Sequence, residues 1–393
     1  MSAAAAVAAQ VAASDRAFCV ALLPEVSRTF ALSIEALPDS LRDAVRVAYL
    51  LCRAVDTIED EAGLPAAERG ALFDAFDALM ADDGADPAPF AARCARVGLA
   101  EGGADGALCR GAAALFRAYR ALPAPQRDAI RPHVREMSAG MRAYCARAEA
   151  AGGALRLDDL ADLERYCYYV AGTVGNLLTA LFEQTVPGLS DAVRAGVRAR
   201  AVSFGLGLQM VNIVKDVAED LERGVCFLPR SLAAAEGVAL ERILEPGSRA
   251  GGLAVVGAVC ARARHHLLRA QEYVALWPAA TSASLSASAS ASASLSASAS
   301  VSASSSSSAS APASASGAGV ASGAGVGSPT AGVAVRLFCA VPLALALATL
   351  REVETGRDTL RAGLTPKVSR LAVAALLVEA RFAAASNEKL GRL

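Results

Sequence analysis

The chain has 393 residues, with 38 Lys and Arg against 39 Asp and Glu, for a formal net charge of −1. That balance provides no basic field to hold a nucleic-acid backbone or an anionic membrane, so no nucleic-acid partner is expected. The hydrophobic fraction of 54% is inflated by Ala, which buries little area per residue, and it does not make this a membrane protein.

No uninterrupted apolar run reaches the roughly 18 residues of a bilayer-spanning helix. The nearest, Leu337–Leu350, contains Pro342 and reads as a buried core helix. The Ala-rich start, residues 1–14, lacks the basic n-region of a secretory signal and reads as a disordered tail on a soluble, cytoplasmic protein without a transmembrane anchor. The 9 cysteines are scattered, odd in number and without a C-x-x-C pair. They predict buried reduced thiols rather than zinc ligands or a disulfide framework. Lysine occurs only at 215, 367 and 389, so Arg carries nearly all positive charge, a bias we attribute to a GC-rich genome.

From Ser40 onward, Leu41, Val45, Ala48, Leu51, Cys52 and Val55 recur at the spacing of one helix face, with Ser40 as the expected N-cap after Pro38. Helical periodicity continues through 107–149, 158–183, 190–222, 250–277 and 335–353, punctuated by Gly and Pro. Runs of β-branched residues are absent, and Gly205-Leu-Gly207 has neither the third glycine nor the preceding strand of a dinucleotide fingerprint. The expectation is an all-α single domain formed by 15–280 and 333–393. Residues 281–332 alternate Ser and Ala before passing into Gly, Ala and Val. Such a composition cannot bury enough apolar area to offset ordering, so a disordered insertion in one surface loop is predicted.

Two acidic clusters share one spacing: Asp56-Thr-Ile-Glu59-Asp60 and Asp216-Val-Ala-Glu219-Asp220, each D-x-x-E-D. On a helix the two aspartates of a cluster stand one above the other, about 6 Å apart along the axis. Mg2+ takes oxygen ligands and is usually held by one or two carboxylates together with substrate phosphate oxygens. Two such clusters facing one another could grip several Mg2+ ions against a diphosphate and stabilise its departure, leaving a carbocation to apolar helix walls. A single copy reads better as a solvated helix end; two copies inside apolar helices favour the metal site. His265 and His266, adjacent on a helix, point apart and read as structural.

Five blocks in order then give a specific resemblance: Ser27-Arg-Thr-Phe30; Tyr49-Leu-Leu-Cys-Arg53-Ala-Val-Asp56-Thr-Ile-Glu-Asp60; Tyr166-Cys-Tyr-Tyr-Val-Ala-Gly-Thr-Val-Gly175; Gln209 to Asp220; and Phe338-Cys-Ala-Val-Pro342. Together they resemble the squalene and phytoene synthases, and within them the squalene-forming branch, because D-T-I-E-D with Arg53 differs from the D-E-x-x-D of phytoene synthases. The resemblance implies a helical bundle of the class I isoprenoid synthase type with a central apolar pocket. It implies head-to-head condensation of two farnesyl diphosphates to presqualene diphosphate, then reduction to squalene by NADPH. By position, Asp56, Glu59, Asp60, Asp216 and Asp220 would bind Mg2+, while Arg28, Arg53, Lys215 and Arg361 would contact diphosphate or the NADPH phosphates. Tyr166 would handle the proton and the first cation, Phe338 would face a carbocation with its ring, and Gln209 and Tyr49 would complete the catalytic set.

Two departures qualify that carry-over. The basic residue usual after the glycine of the second acidic block is absent, Gly224 being followed by Val225, with Arg223 as a substitute; and Thr359-Leu-Arg361-Ala-Gly363 resembles K-x-R-x-G with its Lys replaced. The rival within the family is a phytoene or dehydrosqualene synthase that omits the reduction. Head-to-tail chain elongation is disfavoured because neither cluster reads D-D-x-x-D. From another class comes a non-catalytic helical scaffold tethered by the Ser/Ala tract. Release of so apolar a product suggests transient membrane contact by an apolar helix face.

Overall fold

A computed structural model describes residues 3–61, 63–279, 331–355 and 359–392, without the side chains of 3–9, Arg28 and Thr29. Among the described residues every regular element is helical. The predicted insertion lies outside the described residues over 281–330, while its last two positions begin the helix Ala331–Thr355.

The first helix, α1 (Ala3–Val26), takes in 3–14 of the stretch expected to be a disordered tail, residues 1 and 2 lying outside the described residues. Its alanines are the strongest helix formers, and Asp15, buried, receives both Nε and Nη2 of Arg117 at 2.9 and 2.8 Å, which pins the helix to α7 (Ala112–Ala121). After α2 (Arg28–Glu35), α3 (Asp39–Asp60) buries every position of the predicted apolar face. Full burial of Leu41, Leu51 or Val55 contributes about 1.5–3 kcal/mol each. Ser40 is not the cap; Pro38 holds that position without a side-chain bond, its fixed φ already suited to entering a helix.

The stretch read as one helix over 107–149 is three: α6 (Ala104–Arg110), α7 and α8 (Ala124–Ala150). Gly111 parts the first two where a side chain would strike the Phe18 ring at 2.3 Å, and Pro123 forces Leu122 out of helical backbone before α8. Likewise 158–183 divides into α9 (Leu160–Cys167), a π-helical turn at Tyr168–Gly172 and α10 (Thr173–Thr185). The long α11 (Asp191–Glu222), capped by the Ser190 hydroxyl accepting from Val193 N–H, packs on α10, on α13 (Arg249–Leu276) and on α14 (Ala331–Thr355). Outside α14 lies α15 (Arg370–Ala385).

Backbones of α10 and α11 nearly touch. An added Cβ at Gly175 would sit 2.2 Å from the Ala201 carbonyl, and one at Gly205 2.1 Å from that of Ala171, so only glycine permits this crossing. One apolar core runs from Cys19 to Leu390 and joins elements on both sides of the Ser/Ala tract. Across the tract, Pro278 lies against Gly332, and Arg336, fully buried, donates to the carbonyls of Val274, Ala275 and Trp277 at the end of α13 and of Ala384 at the end of α15. Helix C-termini are negative, which offsets part of the cost of burying this guanidinium without a carboxylate. All nine cysteines are free, and all but Cys226 are buried, as expected. Among the described residues one helix, Ala331–Thr355, is long and apolar enough to cross a membrane, and 72% of its most apolar window is buried within the fold.

Candidate active site

Between α2, α3, the π-turn with α10, α11 and α14 lies a cavity of about 460 Å³. Its lining follows helical spacing. From α3 it takes Val45, Ala48, Tyr49, Cys52, Arg53 and Asp56; from α11 Phe204, Leu208, Gln209, Asn212 and Lys215. Both helices therefore pass from apolar to polar toward their C-terminal ends, and the cavity is greasy at one end and charged at the other. Phe30, Val174, Leu178, Phe338, Pro342 and Leu345 close the apolar part.

The two acidic clusters meet at the charged end. Burial, with Asp216 and Asp60 adding to it, raises the pKa of Asp220 against the pull of Arg223, whose own guanidinium is raised chiefly by its bond to Asp220 and further by Asp60 and Asp216. Burial raises the Asp56 carboxyl to about 7, against the opposing pull of Arg53 and with help from Asp60 and Asp105. Burial likewise pushes Glu59 well above the carboxylate range, with Asp60 and Asp56 adding to it, and Asp60 and Asp220 are raised for the same first reason. The clusters also occupy the negative ends of their helices, where carboxylates are disfavoured and cations favoured.

Asp56 Oδ1 is buried and has no hydrogen-bond partner among the described residues. An orphaned carboxylate oxygen in a nest of mutually raised acids fits a divalent cation, which would satisfy all of them together. No three His, Cys, Asp or Glu side chains among the described residues converge to enclose an ion unaided.

Tyr166, expected to handle the proton and the first cation, stands beside the first cluster: its hydroxyl donates to Glu59 Oε1 at 3.3 Å and its ring stacks on Phe227 at 4.9 Å. Burial, then Glu59 and Asp60, hold its pKa well above the ordinary phenol value, so it is a proton donor. Phe338 is buried in the cavity wall, edge-on to Phe182 at 5.6 Å. Tyr49 and Gln209 also line the wall, Tyr49 beside Phe30 at 5.5 Å. Lys215 Nζ lies 3.0 Å from Asp216 Oδ2. Arg53 gives Nε and Nη2 to Asp105 at 2.8 Å each, and its Nη1 is 3.9 Å from Asp56 Oδ2. Arg361 is exposed, outside the cavity lining, in a segment that crosses the end of α11: Gly363 N–H donates to Glu222 Oε1 at 3.1 Å and the Thr365 hydroxyl to Glu219. The Arg28 side chain lies outside the described residues. His266, as expected, is structural, bonded to Glu164 at 2.9 Å.

Asp105, Phe227 and Asn212 belong to the site and were not singled out from the sequence. Asn212 had a signal, four residues short of Asp216 on the face of Gln209. Asp105 and Phe227 had none, because only the tertiary fold brings them to Arg53 and Tyr166.

The sequence profile described as squalene/phytoene synthase matches residues 23–300. Squalene synthase of Schizosaccharomyces pombe is 33% identical over 217 residues, 54% of this chain and 44% of that protein. Squalene synthase ERG9 of Candida albicans is 29% identical over 277 residues, 68% of this chain and 58% of that one. The match thus spans about half the length of these curated relatives. In structure, TcSQS in complex with the ligand E5700 superposes with a TM-score of 0.70 at 25% identity, over 96% of this chain and 89% of that one. A dehydrosqualene synthase in complex with ligand has a TM-score of 0.56 at 19% identity, over 95% and 97%, a likeness of fold alone. With Asp56 of the first D-x-x-E-D cluster and Lys215, next to the second, lining an apolar helical cavity, and a profile match over residues 23–300, the chain belongs to the squalene/phytoene synthase family.

Proposed function

We propose that the protein condenses two farnesyl diphosphates head to head to presqualene diphosphate and reduces that intermediate to squalene with NADPH. The observation that carries this reading is the cavity itself: apolar walls fit prenyl chains, and the charged mouth fits their diphosphates. Mg2+, held by Asp56, Glu59, Asp60, Asp216 and Asp220, would supply Lewis-acid stabilisation of the departing diphosphate. Arg53 and Lys215 line the cavity beside these carboxylates and place fixed positive charge against phosphate oxygens. Phe338 presents a buried ring to the cavity, where a desolvated cation gains about 2 kcal/mol from an aromatic face. The protonated Tyr166 orients Glu59 through its hydroxyl, and the proton lost in the first step passes to diphosphate or to this Tyr–Glu pair rather than to a free phenolate. Gln209 and Tyr49 supply polar atoms to an otherwise apolar wall.

The residues for the reductive half fit a nucleotide phosphate less fully. Arg361 is the basic residue kept from the K-x-R-x-G element, and Thr359, where the family has Lys, is fully buried with no partner for its hydroxyl among the described residues. That observation favours a second reading in which the reaction stops at an unreduced hydrocarbon. Incubation with farnesyl diphosphate and Mg2+, with and without NADPH, separates them: squalene formed only with NADPH supports the first, and dehydrosqualene regardless of NADPH the second. Product from geranylgeranyl diphosphate alone would contradict the first and point to the phytoene-forming case of the second. Leu371, Val378 and Phe382 stand exposed on α15, an outer face suited to brief bilayer contact as the hydrocarbon leaves. Co-sedimentation with liposomes, lost on Phe382→Glu, is the expected result.

A further inference from the structure

We propose that Asp105 is a positioning residue for diphosphate binding, acting through Arg53. It rests on the reading of Arg53 as a diphosphate contact. Both oxygens of Asp105 are engaged by one edge of the guanidinium, Nε to Oδ1 and Nη2 to Oδ2 at 2.8 Å each. This parallel fork fixes the plane of the group and leaves Nη1 directed at Asp56, 3.9 Å away, on the edge that lines the cavity. Asp105 is thus the reason an otherwise flexible side chain stands ready at the mouth.

Asp105 is itself held from α3. It opens α6, and the loop before that helix turns through Ala100, whose φ of 45° is a left-handed conformation unusual for a residue with a side chain. The carboxylate of Glu61, next after the first acidic cluster, accepts the Ala100 N–H at 2.9 Å and stabilises that turn. Gly106 lets the turn fold tightly onto α6, since a Cβ there would sit 2.2 Å from the Ala100 carbonyl. Both ends of this linkage start on α3: Arg53 reaches out to Asp105, and Glu61 ties down the loop that carries it. Asp105 is not among the residues that line the cavity, so apart from its charge on Asp56 its effect on substrate runs through Arg53.

The test measures binding of inorganic diphosphate with Mg2+ by calorimetry to the full chain, in a cycle of Asp105→Asn, Arg53→Ala and both. Asp105→Asn keeps shape but can accept only one bond of the fork; the dissociation constant is expected to rise about tenfold or more, and Asp105→Glu to recover most of it. In the Arg53→Ala background, Asp105→Asn is expected to change it less than twofold, a non-additivity that a general loss of stability would not produce. If Asp105→Asn does not fold, Arg53→Lys replaces it: an ammonium cannot form the fork, and the same loss is expected. Unchanged affinity in these single variants, effects that multiply in the double, or a wild type that does not bind the probe would overturn the proposal. Binding with the expected cycle but no turnover of any prenyl diphosphate would support the positioning role while rejecting the proposed function.

Discussion

Asp56 sits where its own charge is disfavoured, and that has a sign that can be measured. Its carboxyl titrates at about 7 in the folded protein against 3.8 ordinarily, so its contribution to the stability of the metal-free chain is complete below about pH 4 and lost as pH rises through 7. Between pH 5 and 8 the melting temperature of the metal-free protein is expected to fall relative to Asp56→Asn, which removes the titration, and Mg2+ is expected to restore the wild type. Because the ion binds the carboxylate, the half-saturating Mg2+ concentration should rise by up to about tenfold per unit as pH drops below 7. A pH-independent Mg2+ requirement would reject the assignment. Tyr166→Phe tests a different demand: with ring packing retained, stability should change by only about 1 kcal/mol, while turnover should fall about 100-fold, measured as diphosphate release.

At the scale of elements, the crossing of α10 and α11 is the least tolerant feature. Gly205→Ala places a methyl against the Ala171 carbonyl, and since backbone must move, a loss of about 3 kcal/mol or more is expected by chemical denaturation. The apolar faces of α3 and α11 were legible because their period is strict, and so were the acidic clusters, whose repeated spacing is local. The start of α3 at Asp39 rather than Ser40, the break at Gly111 and the π-turn at Tyr168–Gly172 were not. The first is set locally by Pro38, while the other two depend on what lies across the chain: Phe18 against Gly111, and α11 against the widened turn that carries Ala171 and Gly172. Asp105 and Arg336 escaped for the same reason, as polar residues whose partners are about 50 or more positions away.

For the whole molecule, the described residues on either side of the Ser/Ala tract are joined to one another. Pro278 and Gly332 are in contact, and Arg336 ties the end of α13 to α14 from within. Closing so long a loop costs little more than closing a short one, so replacing 281–330 with a short Gly/Ser linker is expected to leave melting temperature and turnover within error. Arg336→Met, which strips four carbonyls of their donor, should destabilise the chain by about 3 kcal/mol. An inactive linker variant would show that the tract takes part in function.

On the proposed function, two carboxylate clusters at the ends of α3 and α11 ionise a prenyl diphosphate at the charged end of an apolar cavity. Release of inorganic diphosphate from farnesyl diphosphate, followed in Mg2+ for the wild type, Asp56→Asn and Asp216→Asn, tests it most directly. Mg2+-dependent release by the wild type and a loss of at least about 100-fold in each variant are expected, with folding retained. Release unaffected by either substitution, or by omission of the metal, would contradict it.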